Sequence, residues 1–306
     1  MSQGQRKYGL SDFLSGYFGN FGKMLIVNLL YCIPLAVLAG MLFAVFYITG
    51  VINIFVLFLL IPVMSPFFMG MVYVCRKVTE RKKIYPWKDF QKGIRDNWKF
   101  SLVNGLIMYA VTSGLYVTFA YFREHLDNSF IMMYLILSAL VTLVFVCVEL
   151  SIVVMAVSVE LKGSELLKNS VLLIIQGFWQ HIKTLLTYLF VSSLLFSVAV
   201  AANNMVVLLA TAGILTLFLL PMFLTHIMVY NSYQTIERIV ILPYKDASRK
   251  QELQQEQRQK EEKITIEELE ILSKGKADEY VSLAGRMVKR STVKKMLETK
   301  KAKGEE

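Results

Sequence analysis

The stretch RKVTERKKIYPWKDFQKGIRDNWK, Arg76–Lys99, lies between two long apolar runs and holds nine of the 33 Lys and Arg residues. Basic segments that flank apolar spans remain on the cytoplasmic side of a membrane. This basic loop therefore predicts on which side of a membrane its neighbouring segments lie.

The composition is that of a membrane protein followed by a polar tail. The 306 residues are 55% hydrophobic and 18% charged, with a mean hydropathy of +0.51. Soluble domains average about 45–50% apolar and about 25% charged residues. The charge is concentrated after Pro243, because residues 244–306 contain 16 Lys/Arg and 13 Asp/Glu.

Six apolar runs are long enough to span a bilayer, which takes about 20 residues of helix. They predict an all-α, polytopic helical membrane protein with an N-terminal interfacial segment at 1–23, a transmembrane domain at 24–243 and a charged helical cytoplasmic tail at 244–306. The predicted spans are 24–48, 51–74, 100–122, 130–159, 182–200 and 205–229.

The distribution of basic residues predicts the orientation of these spans. Sixteen Lys/Arg fall on one side, in residues 1–23, 75–99 and 160–183 and at Arg238. The opposite connections, 49–53, 123–129 and 200–204, contain only Arg123. The positive-inside rule therefore places both termini in the cytoplasm.

The chain also contains a short internal repeat. Asp12-Phe13-x-x-Gly16-x-x-x-Asn20-Phe21 recurs as Asp89-Phe90-x-x-Gly93-x-x-x-Asn97-Trp98. A third, weaker copy lies near Leu166–Trp179, and Met71-Val72-Tyr73…Glu80-Arg81 recurs as Met228-Val229-Tyr230…Glu237-Arg238. The pattern is compatible with three units, each an interfacial helix feeding a helical hairpin, and equally with chance matching in so apolar a chain.

The tail shows helical patterns. Thr265 and Glu268 have the spacing of a capping box and precede the apolar Ile266, Leu269 and Leu272. Further on, apolar residues are spaced as on one face of a helix: Tyr280, Leu283, Met287 and Val288.

The order of features resembles the YesL-like family of bacterial integral membrane proteins of unknown function. The resemblance rests on Tyr17-Phe18-Gly19-Asn20, Asn28, Ser65-Pro66, Met71–Lys77, Tyr85, Asp89-Phe90, Asn97-Trp98-Lys99 and Leu166–Leu173, and covers roughly residues 12–230. The chain departs from the family at Gln91, where a second Phe is common, and in its long tail. The resemblance implies a multi-pass protein of the bacterial cytoplasmic membrane, often associated with sugar uptake and utilisation, and supplies no catalytic residues.

Glu149 is the most informative single residue, because it interrupts the apolar run 130–159 about 15 Å from its cytoplasmic end. An ionised carboxylate at that depth costs about 3 kcal/mol or more, so such residues usually face a bundle interior or an aqueous cavity. The alternative is that the span ends near Val148 and that Leu150–Val159 run along the membrane surface.

Three prolines are further candidates for an intramembrane function. Pro62 and Pro66 lie in the second run and Pro221 in the sixth, and each removes a backbone hydrogen bond, which tends to kink a helix. Kinked helices can expose backbone carbonyls to a ligand, although packing alone also explains single kinks.

No sequence motif indicates a catalytic, cofactor or metal site, and we expect none of these. The basic residues predict contact with the bilayer and its anionic inner-leaflet headgroups rather than with nucleic acid. They are Arg76, Lys77, Arg81, Lys82, Lys83 and Lys88.

Three function classes remain open. The favoured one is a non-enzymatic accessory or scaffold protein of carbohydrate uptake or utilisation, contacting a transport partner through the basic loop or the tail. The alternative is a small transporter or channel that uses Glu149 and the proline-kinked helices. A membrane-embedded enzyme has no specific feature in its favour.

Overall fold

The computed structural model describes residues 8–51, 53–123, 129–159, 163–201, 205–262, 264–284 and 286–303. The predicted connections at 123–129 and 200–204 fall largely outside these residues. Inter-residue contacts divide the chain after Arg238 into two compact units.

The first unit is built from helices, as its apolar composition predicts. Their bounds are α1 Leu10–Phe18, α2 Phe21–Thr49, α3 Ile54–Phe58, α4 Leu60–Thr79, α5 Pro86–Phe122, α6 Ser129–Ser158, α7 Gly163–Gln176, α8 Phe178–Ala201, α9 Met205–Phe218 and α10 Leu220–Ile236.

Four helical segments in the described part of the chain are long and apolar enough to cross a membrane: Phe21–Thr49, Ile54–Thr79, Pro86–Phe122 and Phe130–Ser158. A fifth is obtained if α9 and α10, bent by 48° at a short break, form one span. The prediction of an all-α unit with several long apolar helices is confirmed, and these helices fit a membrane protein.

The basic loop is shorter than the sequence suggests. Helix α4 continues to Thr79 and α5 begins at Pro86, so only Glu80–Tyr85 is non-helical. Proline is favoured in the first turn of a helix, where its missing N–H has no partner to lose. Six of the nine basic residues of Arg76–Lys99 therefore lie in helices and three in the loop.

Helices α4, α6 and α10 pack against one another and form the core of this unit. Cys75 Sγ lies 3.8 Å from Met222 Sδ, joining α4 to α10. The Ser232 hydroxyl donates to the Leu150 carbonyl at 3.4 Å, joining α10 to α6. Each helix contributes a fully buried valine to this core: Val72, Val154 and Val229.

Each copy of the repeat packs on one of these core helices, although through different residues of the copy. The first copy lies on α1, where the rings of Phe13 and Tyr230 are 5.4 Å apart. The second begins α5, where a Cβ added at Gly93 would lie 2.6 Å from Tyr73 Cβ. Tyr73 and Tyr230 are themselves equivalent residues of the repeat, so each copy contacts the same position.

The hydrogen bonds of the two copies also correspond. Asn20 Nδ2 donates to the Gly16 carbonyl and Asn97 Nδ2 to the Gly93 carbonyl, both at 3.0 Å. Each copy's aspartate pairs with a cation of the α4 end, Asp12 with Arg81 at 2.8 Å and Asp89 with Lys77 at 2.7 Å. The sequence repeat thus corresponds to a repeated structural contact.

A π-helical turn, Glu237–Ile241, includes the unit boundary after Arg238, and the second unit continues with helix α11, Leu242–Glu262. Helix α12 (Ile266–Ser273), strands β1 (Tyr280–Leu283) and β2 (Arg286–Lys289), and helix α13 (Arg290–Lys303) follow. The predicted capping box is confirmed, with Thr265 and Glu268 exchanging backbone hydrogen bonds.

The prediction that Tyr280, Leu283, Met287 and Val288 share a helical face is wrong. They lie in an antiparallel hairpin in which Val281 pairs with Val288 and Leu283 with Arg286. Burial alternates along β1, so Val281 and Leu283 face the core while Tyr280 is exposed. Alternating burial is typical of a β-strand, and it places Val281 and Leu283 in a small core with Leu269 and Val293.

Candidate functional site

The candidate site is formed where α5 packs closely on α4. A Cβ added at Gly105 would lie 2.7 Å from Pro62 Cα and 2.8 Å from Ser65 Cβ, so no side chain fits between the helices there. The Ser65 hydroxyl also donates to the Ser101 carbonyl at 2.6 Å. This contact fixes the direction of the neighbouring residue Asn104.

Asn104 is hydrogen-bonded to Glu149. Its Nδ2 donates to Glu149 Oε2 at 2.9 Å, which joins α5 to α6. Helix α6 continues unbroken for nine residues beyond Glu149 to Ser158, about 14 Å. Residues 150–155 are buried among other helices, and this burial argues against the alternative in which this segment runs along a surface.

A cavity of about 410 Å³ opens beside this pair. Its polar lining comes from Tyr31, Ser65, Asn104 and Glu149. The rest of the wall is apolar, and includes Leu35, Ile61, Met64, Phe68, Met108 and Val153. A mainly apolar cavity of this size with a few convergent polar groups is typical of small-molecule sites.

The prolines nominated from the sequence divide into two kinds. Pro66 lies inside α4, where its ring removes the hydrogen bond to the Pro62 carbonyl. Pro62 and Pro221 instead lie in the first turns of α4 and α10, directly after breaks at Leu59 and Leu219. Both prolines thus follow an interruption of an otherwise continuous apolar segment, at a position where the missing N–H costs little.

Asn28 of α2 bridges the break between α9 and α10. Its Nδ2 donates to the carbonyls of Leu217 at 2.6 Å and Thr216 at 3.0 Å. Its Oδ1 accepts from the Met222 N–H at 2.9 Å. The side chain is almost completely buried, so one amide replaces the backbone hydrogen bonds that the break removes.

Most basic residues nominated for the membrane surface are paired within the protein. Lys82 Nζ lies 2.6 Å and Arg76 Nε 3.6 Å from the Glu80 carboxylate. Arg81 and Lys77 pair with the aspartates of the repeat, as described above. Of the remaining two, Lys83 lies 5.2 Å from the Tyr85 ring centroid, and Lys88 is exposed.

These pairs set the charge state of Glu80, which follows the last residue of α4. Burial would raise the pKa of its carboxyl, but the hydrogen bond from Lys82, the charge of Arg76 and the hydrogen bond from Tyr233 outweigh burial. The pKa of Glu80 is therefore lowered, and the group is anionic at neutral pH.

Several of these partners could not be recognised in the sequence. Asn104 looks like one of many scattered polar residues, and nothing marks it as the partner of a carboxylate 45 positions away. Asp12, Asp89 and Glu80 are ordinary interfacial acids in the sequence. Within the described residues, no three His, Cys, Asp or Glu side chains form a group that could hold a metal ion.

One comparison with known proteins finds a match. Residues 37–119 are similar to a family described as a protein of unknown function, DUF624. No curated protein sequence and no solved structure matches the chain. The matched segment contains Pro62, Pro66, Asn104 and the basic residues, but not Glu149 or Pro221. The similarity to this family therefore covers one wall of the candidate site.

Proposed function

We propose that this protein is a small transporter or channel that binds an amphipathic molecule in the Glu149 cavity. The observation that carries this proposal is the half-buried Glu149–Asn104 pair beside a cavity of about 410 Å³. Carboxyl groups within membrane helices are retained mainly where they serve a pathway or a ligand.

The lining favours one class of ligand. Carboxyl and amide groups on one side can hydrogen-bond a hydroxyl or an amine, while the remaining wall offers methyl, thioether and aromatic groups. A bare sugar would bury its hydroxyl groups against this apolar wall without partners, at a cost of about 1–3 kcal/mol for each. The cavity therefore suits a molecule with one polar end and an apolar body.

A photoreactive alcohol tests this proposal without knowledge of the natural ligand. Octanol that carries a diazirine should label Glu149 or Met108 in the purified, reconstituted protein, and unmodified octanol should compete in a saturable manner. Glu149→Gln and Asn104→Leu should reduce the labelling. Equal, non-saturable labelling of cavity residues and of lipid-facing Val144 would count against a binding site.

We further propose a topology of six spans with both termini in the cytoplasm of a bacterium. The strong bias in Lys and Arg supports the orientation. In this topology helix α8, with 24 residues, would be the fifth span and the bent pair α9–α10 the sixth. A reporter enzyme that works only in the periplasm should be active when fused after Thr49, Arg123 or Ala201. A reporter that works only in the cytoplasm should be active when fused to the C-terminus.

Three hairpin units are the proposed internal organisation. The contact of each repeat copy with an equivalent tyrosine supports this proposal, as does the contact of α7, which carries the third copy, with α6. Each unit would then place its leading helix against the second helix of the preceding unit, with α1 closing the series on α10.

A second candidate is a non-enzymatic accessory protein of carbohydrate uptake, in line with the YesL-like resemblance. The observation in its favour is the compact unit after Arg238, whose own small core makes it suited to bind a partner protein. Proteins that co-purify with the full chain should be lost from a chain ending at Arg238. If all of them remain, the tail is not the docking element.

A further inference from the structure

A second cavity, of about 530 Å³, lies at the end of the helices that carries the basic residues. Four helices contribute to it: α4, α5, α6 and α7. Its polar lining is provided by Tyr73, Arg76, Lys92, Asp96, Asn97 and Ser158, whose hydroxyl is used by the Val154 carbonyl. We name it the basic-end cavity. It shares no residue with the Glu149 cavity.

Two cations of this cavity gather around one aromatic ring. The Arg76 guanidinium carbon lies 4.9 Å and the Lys92 ammonium 5.8 Å from the centroid of the Tyr73 ring. Tyr73 is itself held in place by Gly93, whose Cα leaves no room for a side chain beside Tyr73 Cβ. The two positive charges are thus positioned by a rigid contact between α4 and α5.

The positive charge of Arg76 is only partly balanced inside the protein. Its Nη1 donates to the Val157 carbonyl, and its Nε lies 3.6 Å from Glu80 Oε1 without forming a hydrogen bond. The same Glu80 carboxylate also accepts from Lys82 and from the Tyr233 hydroxyl. Arg76 therefore retains hydrogen-bonding capacity for a further acceptor.

Lys92 has no acidic partner within 4 Å among the residues that the structure describes. Asp96 also lines the cavity, but its Oδ1 lies 3.5 Å from Arg95 Nε, and this neighbouring cation offsets its charge. The Asn97 amide is already used by the Gly93 carbonyl. The lining thus presents two cations with unused donors and one partly neutralised acid.

We propose that the basic-end cavity binds a phosphate group through Arg76 and Lys92. A guanidinium presents a planar pair of donors that matches two phosphate oxygens, and an ammonium adds a compact charge. The phosphate can belong to the headgroup of an anionic lipid or to a soluble phosphate, because both present the same oxygens. This site is independent of the function proposed for the Glu149 cavity.

Lys92→Gln is the variant that tests the site. Lys92 is exposed, so its replacement removes one charge and leaves the helix packing intact. Lys88→Gln is the matched control, because Lys88 lies one turn earlier on the same helix, is exposed and does not line the cavity. Both variants lower the net charge of the full-length protein by one.

Two binding measurements distinguish the sources of the phosphate. Native mass spectrometry counts the phosphatidylglycerol molecules retained by the full-length protein from mixed micelles, with phosphatidylcholine as the neutral reference. Equilibrium binding of radiolabelled inorganic phosphate in neutral detergent is the second arm. Retention of phosphatidylglycerol that inorganic phosphate does not displace indicates a headgroup, and phosphate binding without lipid indicates a soluble ligand.

We expect Lys92→Gln to weaken binding about tenfold in the arm that is positive, with Lys88→Gln equal to the wild-type protein. Losing one charge-assisted hydrogen bond has an effect of this order. Binding in neither arm, or an equal loss in both variants, would overturn the proposal. Labelling of Glu149 by the photoreactive alcohol is a separate measurement, so the two proposals can fail independently.

Discussion

Replacing Asn28 by leucine is expected to destabilise the helical unit by disrupting the break between α9 and α10. Leucine has nearly the same size and shape but neither donor nor acceptor. The variant removes the Asn28 hydrogen bonds of three backbone groups: the carbonyls of Thr216 and Leu217 and the N–H of Met222. The Thr216 carbonyl keeps one other donor, the Cys32 thiol at 3.5 Å. None of the three can be satisfied by hydrocarbon chains of a bilayer.

The size of the effect follows from the number of bonds lost. Hydrogen bonds between membrane helices average about 0.6 kcal/mol, whereas an orphaned buried polar group costs about 1–3 kcal/mol. Two orphaned groups and the weakened bonding of the Thr216 carbonyl give a loss of about 3 kcal/mol in the free energy of unfolding. The effect should be concentrated at the break, so the Met222 amide should lose its protection from hydrogen exchange more than its helical neighbours do.

Unfolding in mixed micelles of increasing SDS content measures this loss. Val37→Leu is a suitable control, because Val37 lies on the same helix and is exposed on the surface of the protein. A change of less than about 0.5 kcal/mol for Asn28→Leu, within the range of ordinary surface substitutions, would refute the bridging role. Unchanged exchange at Met222 would refute it as well.

Three further predictions concern other parts of the chain. Gly105→Ala should cost about 2 kcal/mol in the same unfolding assay, because its Cβ would meet Pro62 and Ser65, whereas Gly114→Ala meets nothing within 4 Å and should be neutral or slightly stabilising. The lowered pKa of Glu80 predicts a contribution to stability that is present above the unfolded-state value of 4.5 and is lost as the pH falls through the folded-state pKa. Glu80→Gln should therefore flatten the acid side of a curve of stability against pH. An unchanged acid side would exclude Glu80 as its source. Leu283→Asp should expose the hairpin to limited proteolysis, since Leu283 is buried, while Ser282→Asp on the exposed face of the same strand should not; equal cleavage of both would contradict the observed register.

The length and composition of the apolar runs were sufficient to predict the helices of the first unit. A run such as 130–159 is apolar almost throughout, and helix α6 covers it from Ser129 to Ser158. The exact positions of breaks within runs are harder to predict. Pro62 and Pro221 indicate interruptions near Leu59 and Leu219, but nothing in the sequence marks Asn28, whose amide bonds across the break at Leu219 from almost 200 positions away.

The candidate site was predictable only in part, for a related reason. Glu149 stands out because a carboxylate is unfavourable in an apolar run, so a single sequence is enough to nominate it. Its partner Asn104 and the contact of Gly105 with Pro62 depend on how α4, α5 and α6 pack, which no local pattern specifies. The sequence predicts that the basic residues contact a membrane surface. The aspartates that pair with them become their neighbours only in the folded chain.

The hairpin at Tyr280–Lys289 shows how a local pattern can mislead. Apolar residues at 280, 283, 287 and 288 match the spacing of a helix, whereas Val281 and Leu283 alternate as in a strand. Short apolar segments fit both periods, and only the packing of Leu283 on Leu269 and Val293 selects the strand.

Accessibility of single cysteines along α6 tests the central claim, that Glu149 faces a cavity, most directly. The background would lack the buried Cys32, Cys75 and Cys147. Cysteines at Val146, Glu149 and Val153, which line the cavity, would be compared with one at Val144, which is exposed on the outside of the helical unit. We predict that a membrane-impermeant thiol reagent labels the three cavity positions and spares Val144. Uniform labelling from 149 onward would mean that the membrane span ends there, and no labelling at all would place Glu149 in a dry bundle; either result would contradict a binding cavity that is open to water.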